Sequence, residues 1–358
     1  MNKQPKVIIR CFVYNHEPYL RDCLEGFVMQ KTDFPFKAVV HDDASTDNSA
    51  AIIREYAEKY PHIIEPIYET ENQYSKRDGS LRRIMDDATL NRSPYIAYCE
   101  GDDYWIDPMK LQKQVDYMDK HPECTMTCSN VEFLTPSGVI SDEEKKTKNC
   151  FFISSSRIVN TEEIIHHAGH TCTLLIRSSI MNSYPQTCLQ CHVGDYPLQI
   201  YAALKGAVYC FSEKTAVYRY LSVGSWSSRQ SQTIAKTKAD QEISIINMLE
   251  EMNKFSNKKF EHSFEKQIYS YGAQAIVFNP ALAYELCTRH GYIFLKYPQK
   301  NAFYDNARSL FSNILCFLLR IKWFPFKIGK FVEALKRIGW KKRIKITLIC
   351  CISYFKHQ

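Results

Sequence analysis

Three carboxylates in a run of four residues are the strongest chemical feature of this sequence. Glu100, Asp102 and Asp103 lie in the stretch YCEGDDYW (98–105), which directly follows an apolar run. Carboxylates this close repel one another, which raises their pKa values unless a positive charge lies beside them. Paired hard oxygens suit Mg²⁺ or Mn²⁺, which typically take one or two carboxylates and complete their shell with water and phosphate oxygens. The stretch therefore predicts a site for a divalent metal.

The backbone of this stretch decides which carboxylates can act together. In an extended backbone, Glu100 and Asp102 project to one side and Asp103 to the other, and Gly101 permits a close approach. A second interpretation stays open, in which the acids form a solvated turn that caps the helix beginning at Pro108. The elements around the stretch bear on this choice.

Short apolar segments alternate with amphipathic helices over the first 120 residues. The patterns predict strands over 6–13, 36–43, 63–68 and 93–99, with helices after the first two strands and over 108–120. Asn15 is a candidate N-cap of the first helix. Such alternation is typical of an α/β fold with a largely parallel sheet.

Polar clusters follow three of these strands. YNHE (14–17) comes after the first, HDDASTD (41–47) after the second and EGDD (100–103) after the fourth. Ligands of open α/β sheets bind outside the carboxyl ends of the strands, so the three clusters predict one shared crevice. No strand is followed by a Gly-rich phosphate loop of the kinase or dinucleotide-enzyme type. A diphosphate bridged by a metal, without a glycine cradle, fits this pattern better.

Four segments resemble, in their order and spacing, bacterial family 2 glycosyltransferases. They are CFVYNHEPYL (11–20), VVHDDASTDNS (39–49), YIAYCEGDDYWIDPMKLQKQVDYM (95–118) and VGDYPL (193–198). The resemblance covers about residues 5–230. It is most specific at EGDDYW, which resembles the family's D-x-D metal motif with a glutamate in the first place. The resemblance implies a GT-A fold with a mixed, mainly parallel central sheet, and an inverting enzyme that uses a nucleotide-diphosphate sugar.

The resemblance also implies roles for individual residues. Asp102 resembles the ligand of the divalent metal, Mg²⁺ or Mn²⁺, and Glu100 resembles its partner near the ribose or the metal-bound waters. Asp43 is similar to the residue that binds the uracil ring of a UDP-sugar. The other residues of the implied nucleotide-sugar site are Phe12, Tyr14, Asn15, Glu17, Asn72, Gly101 and Arg219.

Three of these residues leave other interpretations open. Core packing would explain Tyr14, and an acid that stabilises the first turn of a helix would explain Glu17. Asn72 matches only loosely, because the Ala-Arg-Asn that often follows in the family is not evident in SLRRIMDDATL (80–90).

A second departure from the family concerns the segment after Arg219. Related enzymes often have a histidine a little after such an arginine, and none occurs here between Arg219 and Arg229. We expect Arg219 to hold a donor phosphate. The missing contact would then be replaced by Ser222, Ser225 or Trp226.

An inverting transfer needs one general base to take the proton of the acceptor hydroxyl. Asp195 in VGDYPL resembles the family's base, which lies at the start of a helix. The alternative is a helix N-cap, since Pro197 and an apolar run follow. Both can hold, because a helix N-terminus favours an ionised carboxylate.

The net charge of +7 is unevenly distributed. From Lys300 to the end, 13 Lys and Arg stand against 2 Asp and Glu, so residues 1–299 carry −4. We expect a GT-A catalytic domain over residues 1–230 and a helical C-terminal region with a basic amphipathic tail over residues 231–358. In residues 313–355, bulky apolar residues alternate with Lys and Arg. This pattern predicts either a segment that lies on an anionic membrane surface or a helix that packs on the body of the protein. No nucleic-acid-binding motif accompanies the charge, so nucleic acid is not an expected partner.

The leading hypothesis is transfer of a sugar from a UDP-sugar to a lipid-linked oligosaccharide or a growing surface polysaccharide. No secretory leader is visible before KVIIRCFV (6–13), and the 14 cysteines lack framework spacing, so we expect a cytoplasmic protein, peripheral on the inner face of the cell membrane. One alternative is a nucleotidyltransferase, which would normally show a Gly-rich, basic phosphate loop near the first strand. Another is a non-catalytic scaffold with the same fold.

Overall fold

The computed structural model describes residues 4–76, 78–141, 151–223 and 225–282, together with residues 285, 286, 289, 290 and 293. The described residues form two compact units. One comprises the chain up to Thr233 with Glu251–Ser263, and the other comprises Ile234–Glu250 and the residues from Phe264 onward. The basic segment 313–355 lies outside the described residues.

The first unit is built on one mixed sheet. Its strands run in the order β3-β2-β1-β4-β9-β6-β10-β5, with β7 beside β6 and β8 beside β10. The long pairings β1–β2, β1–β4, β2–β3 and β6–β10 are parallel, and the shorter ones are antiparallel. The predicted mixed, mainly parallel sheet is confirmed. In the described residues the strands are β1 (Val7–Val13), β2 (Phe36–Asp42), β3 (Ile64–Tyr68), β4 (Tyr95–Tyr98), β5 (Tyr104–Trp105), β6 (Cys124–Thr135), β7 (Gly138–Val139), β8 (Arg157–Val159), β9 (Leu175–Arg177) and β10 (Ala207–Arg219).

The helices of the described residues follow the predicted alternation over the first 120 positions. Two long helices, Ala235–Phe255 and Glu261–Phe278, lie in the C-terminal region that was expected to be helical. In chain order the α-helices are α1 (Glu17–Val28), α2 (Ser49–Lys59), α3 (Gln73–Lys76), α4 (Ser80–Thr89), α5 (Lys110–Lys120), α6 (Thr161–His166), α7 (Asp195–Lys205), α8 (Trp226–Gln232), α9 (Ala235–Phe255) and α10 (Glu261–Phe278). Among the described residues, no helix combines the length and the apolar character that a membrane crossing requires.

The two faces of β1 show why the sheet is covered on both sides. Successive side chains of a strand point to opposite faces. Val7, Ile9, Cys11 and Val13 join the main core, together with the buried stripe of α1. Ile8 points the other way and packs with residues of β2 and α4. Both faces are buried, and Arg10 on the Ile8 face pairs with Asp86 at 2.8 Å, so β1 is a buried central strand, as its near-continuous hydrophobic run predicts.

The carboxyl ends of β1, β2 and β4 meet at one edge of the sheet, because these strands are parallel neighbours. The chain stays joined there after the strands end. The Asp43 N–H donates to the Val13 carbonyl at 2.9 Å, and the Gly101 N–H donates to the Phe12 carbonyl at 2.9 Å. The three polar clusters of the sequence therefore follow adjacent strand ends.

Asn15 is not the N-cap of α1. It adopts a left-handed conformation with φ 57°, and His16 occupies the cap position without a capping side-chain bond. The Asn15 side chain instead accepts a hydrogen bond from the Thr46 N–H at 2.8 Å. The Asn15 side chain therefore bonds the loop after β2 and not the first turn of α1.

Candidate active site

The acidic stretch forms a tight turn after β4. The Asp103 N–H donates to the Glu100 carbonyl at 3.0 Å, so the expected extended backbone is wrong. Gly101 is buried in this turn, and a Cβ added to it would lie 2.8 Å from His16 Nδ1 and 2.9 Å from Val13 Cγ2. Only glycine fits this position without displacement, because the turn lies directly against the loop that follows β1.

Burial and the charges of two other carboxylates raise the pKa of Glu100 at this turn. The pKa of Glu100 is raised to about 8, first by burial and then by the negative charges of Asp102 and Asp195, while Arg229 opposes the shift. Asp102 is itself buried. The residue expected to be the base thus acts on the same carboxylate as an expected metal ligand, although 93 positions separate Asp102 from Asp195.

The Asp103 side chain is bound to the backbone of Arg219. Its Oδ1 accepts a hydrogen bond from the Arg219 N–H at 2.8 Å. Burial raises its pKa well above the usual value, and the Asp102 charge adds to the shift. The predicted division of the acids stays a prediction, and a turn, not an extended strand, carries them.

Arg219 holds the acidic turn from behind. Its Nη1 donates to the Asp102 carbonyl at 2.8 Å, and its Nη2 pairs with Asp22. The guanidinium is buried and lies over the rings of Tyr19 and Tyr104, with centroid distances of 5.1 and 4.4 Å. These protein groups give Arg219 a structural role, and the expected phosphate contact stays a prediction.

Asp195 is the first residue of α7, and Gly194 occupies the N-cap position. The interpretation of Asp195 as the cap is therefore wrong by one residue. One carboxylate oxygen, Oδ2, accepts a hydrogen bond from Thr171 Oγ1 at 2.7 Å, and Oδ1 accepts from the Tyr196 N–H at 2.8 Å. The side chain is half-buried, so it remains reachable from solvent.

Asp43 organises the loop that follows β3. Its two carboxylate oxygens accept hydrogen bonds from the N–H groups of Gln73, at 2.6 Å, and Tyr74, at 3.0 Å. Asn72 donates to the Asp43 carbonyl at 3.2 Å and accepts from the Ser75 N–H at 2.8 Å. Each Asp43 oxygen keeps a second lone pair, so these bonds are compatible with the expected contact to a nucleobase.

The loop after β1 is joined to the loop after β2. Glu17 lies in the first turn of α1, and its carboxylate accepts from the N–H and the side-chain amide of Asn48, at 3.0 and 2.6 Å. The Asn15 N–H donates to Ser45 Oγ at 2.9 Å. Tyr14 is half-buried, and Phe12 makes an edge contact with His41, with ring centroids 6.2 Å apart. These residues lie together at the edge of the sheet, where a base pocket was expected.

Two charged or titratable residues at this edge were not singled out from the sequence. His16 is 6% exposed and its Nδ1 has no hydrogen-bond partner; burial lowers its pKa, Asp102 raises it and Arg229 lowers it. Arg229 lies on α8, is exposed and acts on both His16 and Glu100. Neither could be found by local pattern, since each matters only through neighbours that the fold supplies.

The donor set suits a hard divalent cation. Among the described residues, no group of three or more His, Cys, Asp and Glu side chains could hold a metal on its own. One or two carboxylates are, however, what Mg²⁺ or Mn²⁺ takes when phosphate and water complete the shell. Asp102 and Glu100 fit that role, and a cation beside them would offset the burial and the repulsion that raise the pKa of Glu100.

Comparisons with known proteins agree with this geometry. The model of the family "Glycosyl transferase family 2" matches residues 8–183. An uncharacterized protein of Mycobacterium bovis is 32% identical over 220 residues, which are 60% of this chain and 59% of that protein. The putative glycosyltransferase EpsE of Bacillus subtilis is 35% identical over 122 residues, 34% of this chain and 41% of that protein. The chain thus spans about three fifths of the length of the M. bovis protein and about two fifths of the length of EpsE.

A solved structure extends the comparison to the fold. S. aureus TarS 1–349, determined in complex with UDP, aligns over 99% of this chain and 92% of its own, with a TM-score of 0.52 and 15% sequence identity. The GT-A-like fold expected from the sequence is confirmed. The matched segment, residues 8–183, is thus a glycosyl transferase family 2 domain within this chain.

Proposed function

We propose that this protein is an inverting glycosyltransferase that moves a sugar from a UDP-sugar to an acceptor hydroxyl. The observation that carries the proposal is that the charges of Asp102 and Asp195 both act on Glu100, in the turn that follows β4. A base and a metal-binding pair are both needed for this reaction, and they must face the same anomeric carbon. The family match supports the same chemistry.

The nucleotide side of the proposed site is the joined pair of loops after β1 and β2. Asp43 would accept a hydrogen bond from the uracil ring through its remaining lone pairs, while Asn72 keeps the adjacent loop in place. Phe12, Tyr14, Asn15, Glu17 and Gly101 would line the pocket, chiefly by fixing its walls. Arg229 is exposed, and its positive charge lowers the pKa of Glu100. We therefore assign the phosphate contact to Arg229 in place of Arg219.

The proposed transfer needs little covalent chemistry from the protein. The acceptor oxygen attacks the anomeric carbon as Asp195 takes its proton, and the bond from that carbon to the diphosphate breaks, with its electron pair leaving on UDP. A divalent cation held by Asp102 and Glu100 would supply positive charge to the departing diphosphate. One carboxylate base suffices, because the configuration inverts in a single displacement.

The proposal also includes the class of acceptor. We propose a lipid-linked oligosaccharide or a growing surface polysaccharide, reached from an anionic membrane surface through residues 313–355. Support comes from the alternation of bulky apolar residues with Lys and Arg in that segment. We assign the catalytic domain to residues 1–230 and the acceptor-side accessory region to residues 231–358.

Calorimetry that compares the affinity for UDP with the affinities for GDP, ADP and dTDP tests the donor site. We expect UDP to bind in the presence of Mn²⁺, and Asp102→Ala to lose most of that binding because the bridge between protein and diphosphate is removed. Asp195→Asn should keep UDP binding and lose turnover. Binding without turnover in the wild type across a panel of UDP-sugars would favour the scaffold; transfer of the nucleotidyl group would favour the nucleotidyltransferase.

A further inference from the structure

The structure assigns Thr171 a positioning role: we propose that its hydroxyl sets the orientation of the Asp195 carboxylate for proton removal from the acceptor. This inference rests on the proposed function, since it presupposes that Asp195 is the base. Thr171 itself would touch neither donor nor acceptor. Nothing in the sequence around Thr171 signals this role, and 24 positions separate the two residues.

The contact is short and specific. Thr171 Oγ1 donates to Asp195 Oδ2 at 2.7 Å, and the Tyr196 N–H donates to Oδ1 at 2.8 Å. With both oxygens held, the carboxylate cannot rotate about its Cβ–Cγ bond without losing a hydrogen bond. Each oxygen retains a lone pair. A base held in this way presents a fixed lone pair to an incoming hydroxyl, which is how positioning lowers a barrier.

The turn that carries Thr171 is itself fastened on its other side. Residues Thr171–Thr173 form a single 3₁₀ turn, in which Cys172 and Thr173 are fully buried. Trp105 Nε1 donates to the Cys172 carbonyl at 2.7 Å, and Gln114 Nε2 donates to the Thr173 carbonyl at 2.9 Å. The Thr171 hydroxyl therefore starts from a backbone that has little freedom to shift.

These bonds join the two halves of the proposed site. Trp105 lies two residues after Asp103, so the acidic turn reaches Asp195 through Trp105, the 171–173 turn and the Thr171 hydroxyl. The distance between base and metal-binding acids is then fixed by hydrogen bonds and not only by packing. Thr171 is the last member of that chain, and the one that can be altered without touching the core.

Thr171→Val tests the proposal, because valine keeps the shape and removes the donor. With UDP release measured on the best UDP-sugar of a panel, we expect kcat to fall about 10- to 100-fold, with the donor KM and Mn²⁺-dependent UDP binding unchanged. Thr171→Ser should restore most of the rate, since it returns the hydroxyl. Thr161→Val is the matched control: it removes a hydroxyl that donates to the Ala203 carbonyl, and kcat should not change.

The double variant Thr171→Val with Asp195→Asn tests the positioning role of Thr171 separately from the role of Asp195 as the base. If Thr171 acts through Asp195, the valine should cost nothing further once the base is gone. An additional loss in the double variant, or an unchanged kcat in Thr171→Val alone, would overturn the positioning role while leaving Asp195 as the base. Full activity of Asp195→Asn would overturn the proposed base instead.

A crystal structure of Thr171→Val decides the matter if no UDP-sugar of the panel is turned over. We expect the Asp195 side chain to leave the orientation that it has in the wild type. An Asp195 carboxylate that keeps the same orientation without the hydroxyl would contradict the proposal.

Discussion

At the scale of single residues, neighbouring acids of one motif have different environments. The charges of Asp102 and Asp195 act on Glu100, whereas the Asp103 side chain accepts a hydrogen bond from the Arg219 N–H. The presence of acids here, and a division between them, could be predicted from the sequence. The turn that carries them could not, because it depends on Gly101 lying against His16, a contact between segments 85 positions apart.

Gly101→Ala should destabilise the protein and weaken Mn²⁺-dependent UDP binding. The added Cβ would meet His16 Nδ1 at 2.8 Å and Val13 Cγ2 at 2.9 Å, and relief of that overlap must move the acidic turn. We expect a loss of about 1–3 kcal/mol in the free energy of unfolding, measured by urea denaturation. Gly194→Ala is the control, since its Cβ would meet nothing within 4 Å. Equal stability of the two variants would contradict this account.

Metal affinity should rise between pH 6 and pH 8.5. Glu100 has a pKa of about 8 in the folded protein, above its ordinary 4.5, so without metal it keeps a proton through most of this range. A cation must displace that proton, which makes binding easier as pH rises. For the same reason, the metal-free protein loses stability as pH rises from about 4.5 to 8, where only the unfolded chain has released the proton.

Glu100→Gln supplies the comparison for both pH effects. Calorimetry with Mn²⁺ and UDP, and thermal unfolding without metal, should show flatter pH dependence in this variant than in the wild type. If the wild type and the glutamine variant have the same slopes, Glu100 is not the titrating group.

At the scale of elements, the strand ends could be predicted and the connections across them could not. The hydrophobic runs of β1, β2 and β4 predict where the parallel strands stop, and the polar clusters follow at once. Arg229 and Thr171 were missed because each acts on a residue from a distant element, Glu100 and Asp195 respectively. The partners of Arg219 could not be predicted for the same reason: its charge suggested phosphate, and the fold places Asp22 and two tyrosine rings beside it.

Arg219→Ala should lower stability and also weaken metal-dependent UDP binding. It removes a buried charged donor to the Asp102 carbonyl, which we expect to cost about 2–3 kcal/mol, and it frees the turn that carries Asp102. Arg21→Ala is the matched control, because the Arg21–Glu55 pair is more than half exposed and exposed pairs contribute little. An Arg219→Ala protein with wild-type stability but a raised donor KM would instead support the phosphate contact first expected.

At the scale of the whole molecule, net charge distinguishes the last 59 residues from the rest of the chain. The part before residue 300 carries −4, while the last 59 residues carry the excess of Lys and Arg that makes the total +7. A −4 body is not attracted to an anionic surface by its net charge, so any such attraction has to come from the tail. The family match ends at residue 183 and does not address this part.

The full chain should sediment with phosphatidylglycerol vesicles at low salt and not with phosphatidylcholine vesicles. Basic residues near an anionic surface attract it by electrostatics that salt screens, so binding should weaken as salt rises. Replacement of Lys341, Lys342 and Arg343 by glutamine should reduce the bound fraction without changing UDP binding. If the full chain stays in the supernatant with both vesicles, the tail is better explained as a helix packed on the body.

The surroundings of Trp105 give the protein a built-in optical reporter. The indole is 2% exposed, donates to the Cys172 carbonyl and has Lys110 Nζ 4.2 Å from its ring centroid. Indole fluorescence responds to nearby charge and to hydrogen bonding, and this ring lies between the acidic turn and the turn that carries Thr171. Emission measured before and after addition of Mn²⁺ and UDP, with Trp105→Phe subtracted to remove the other tryptophans, would follow occupancy of the site in real time without a label.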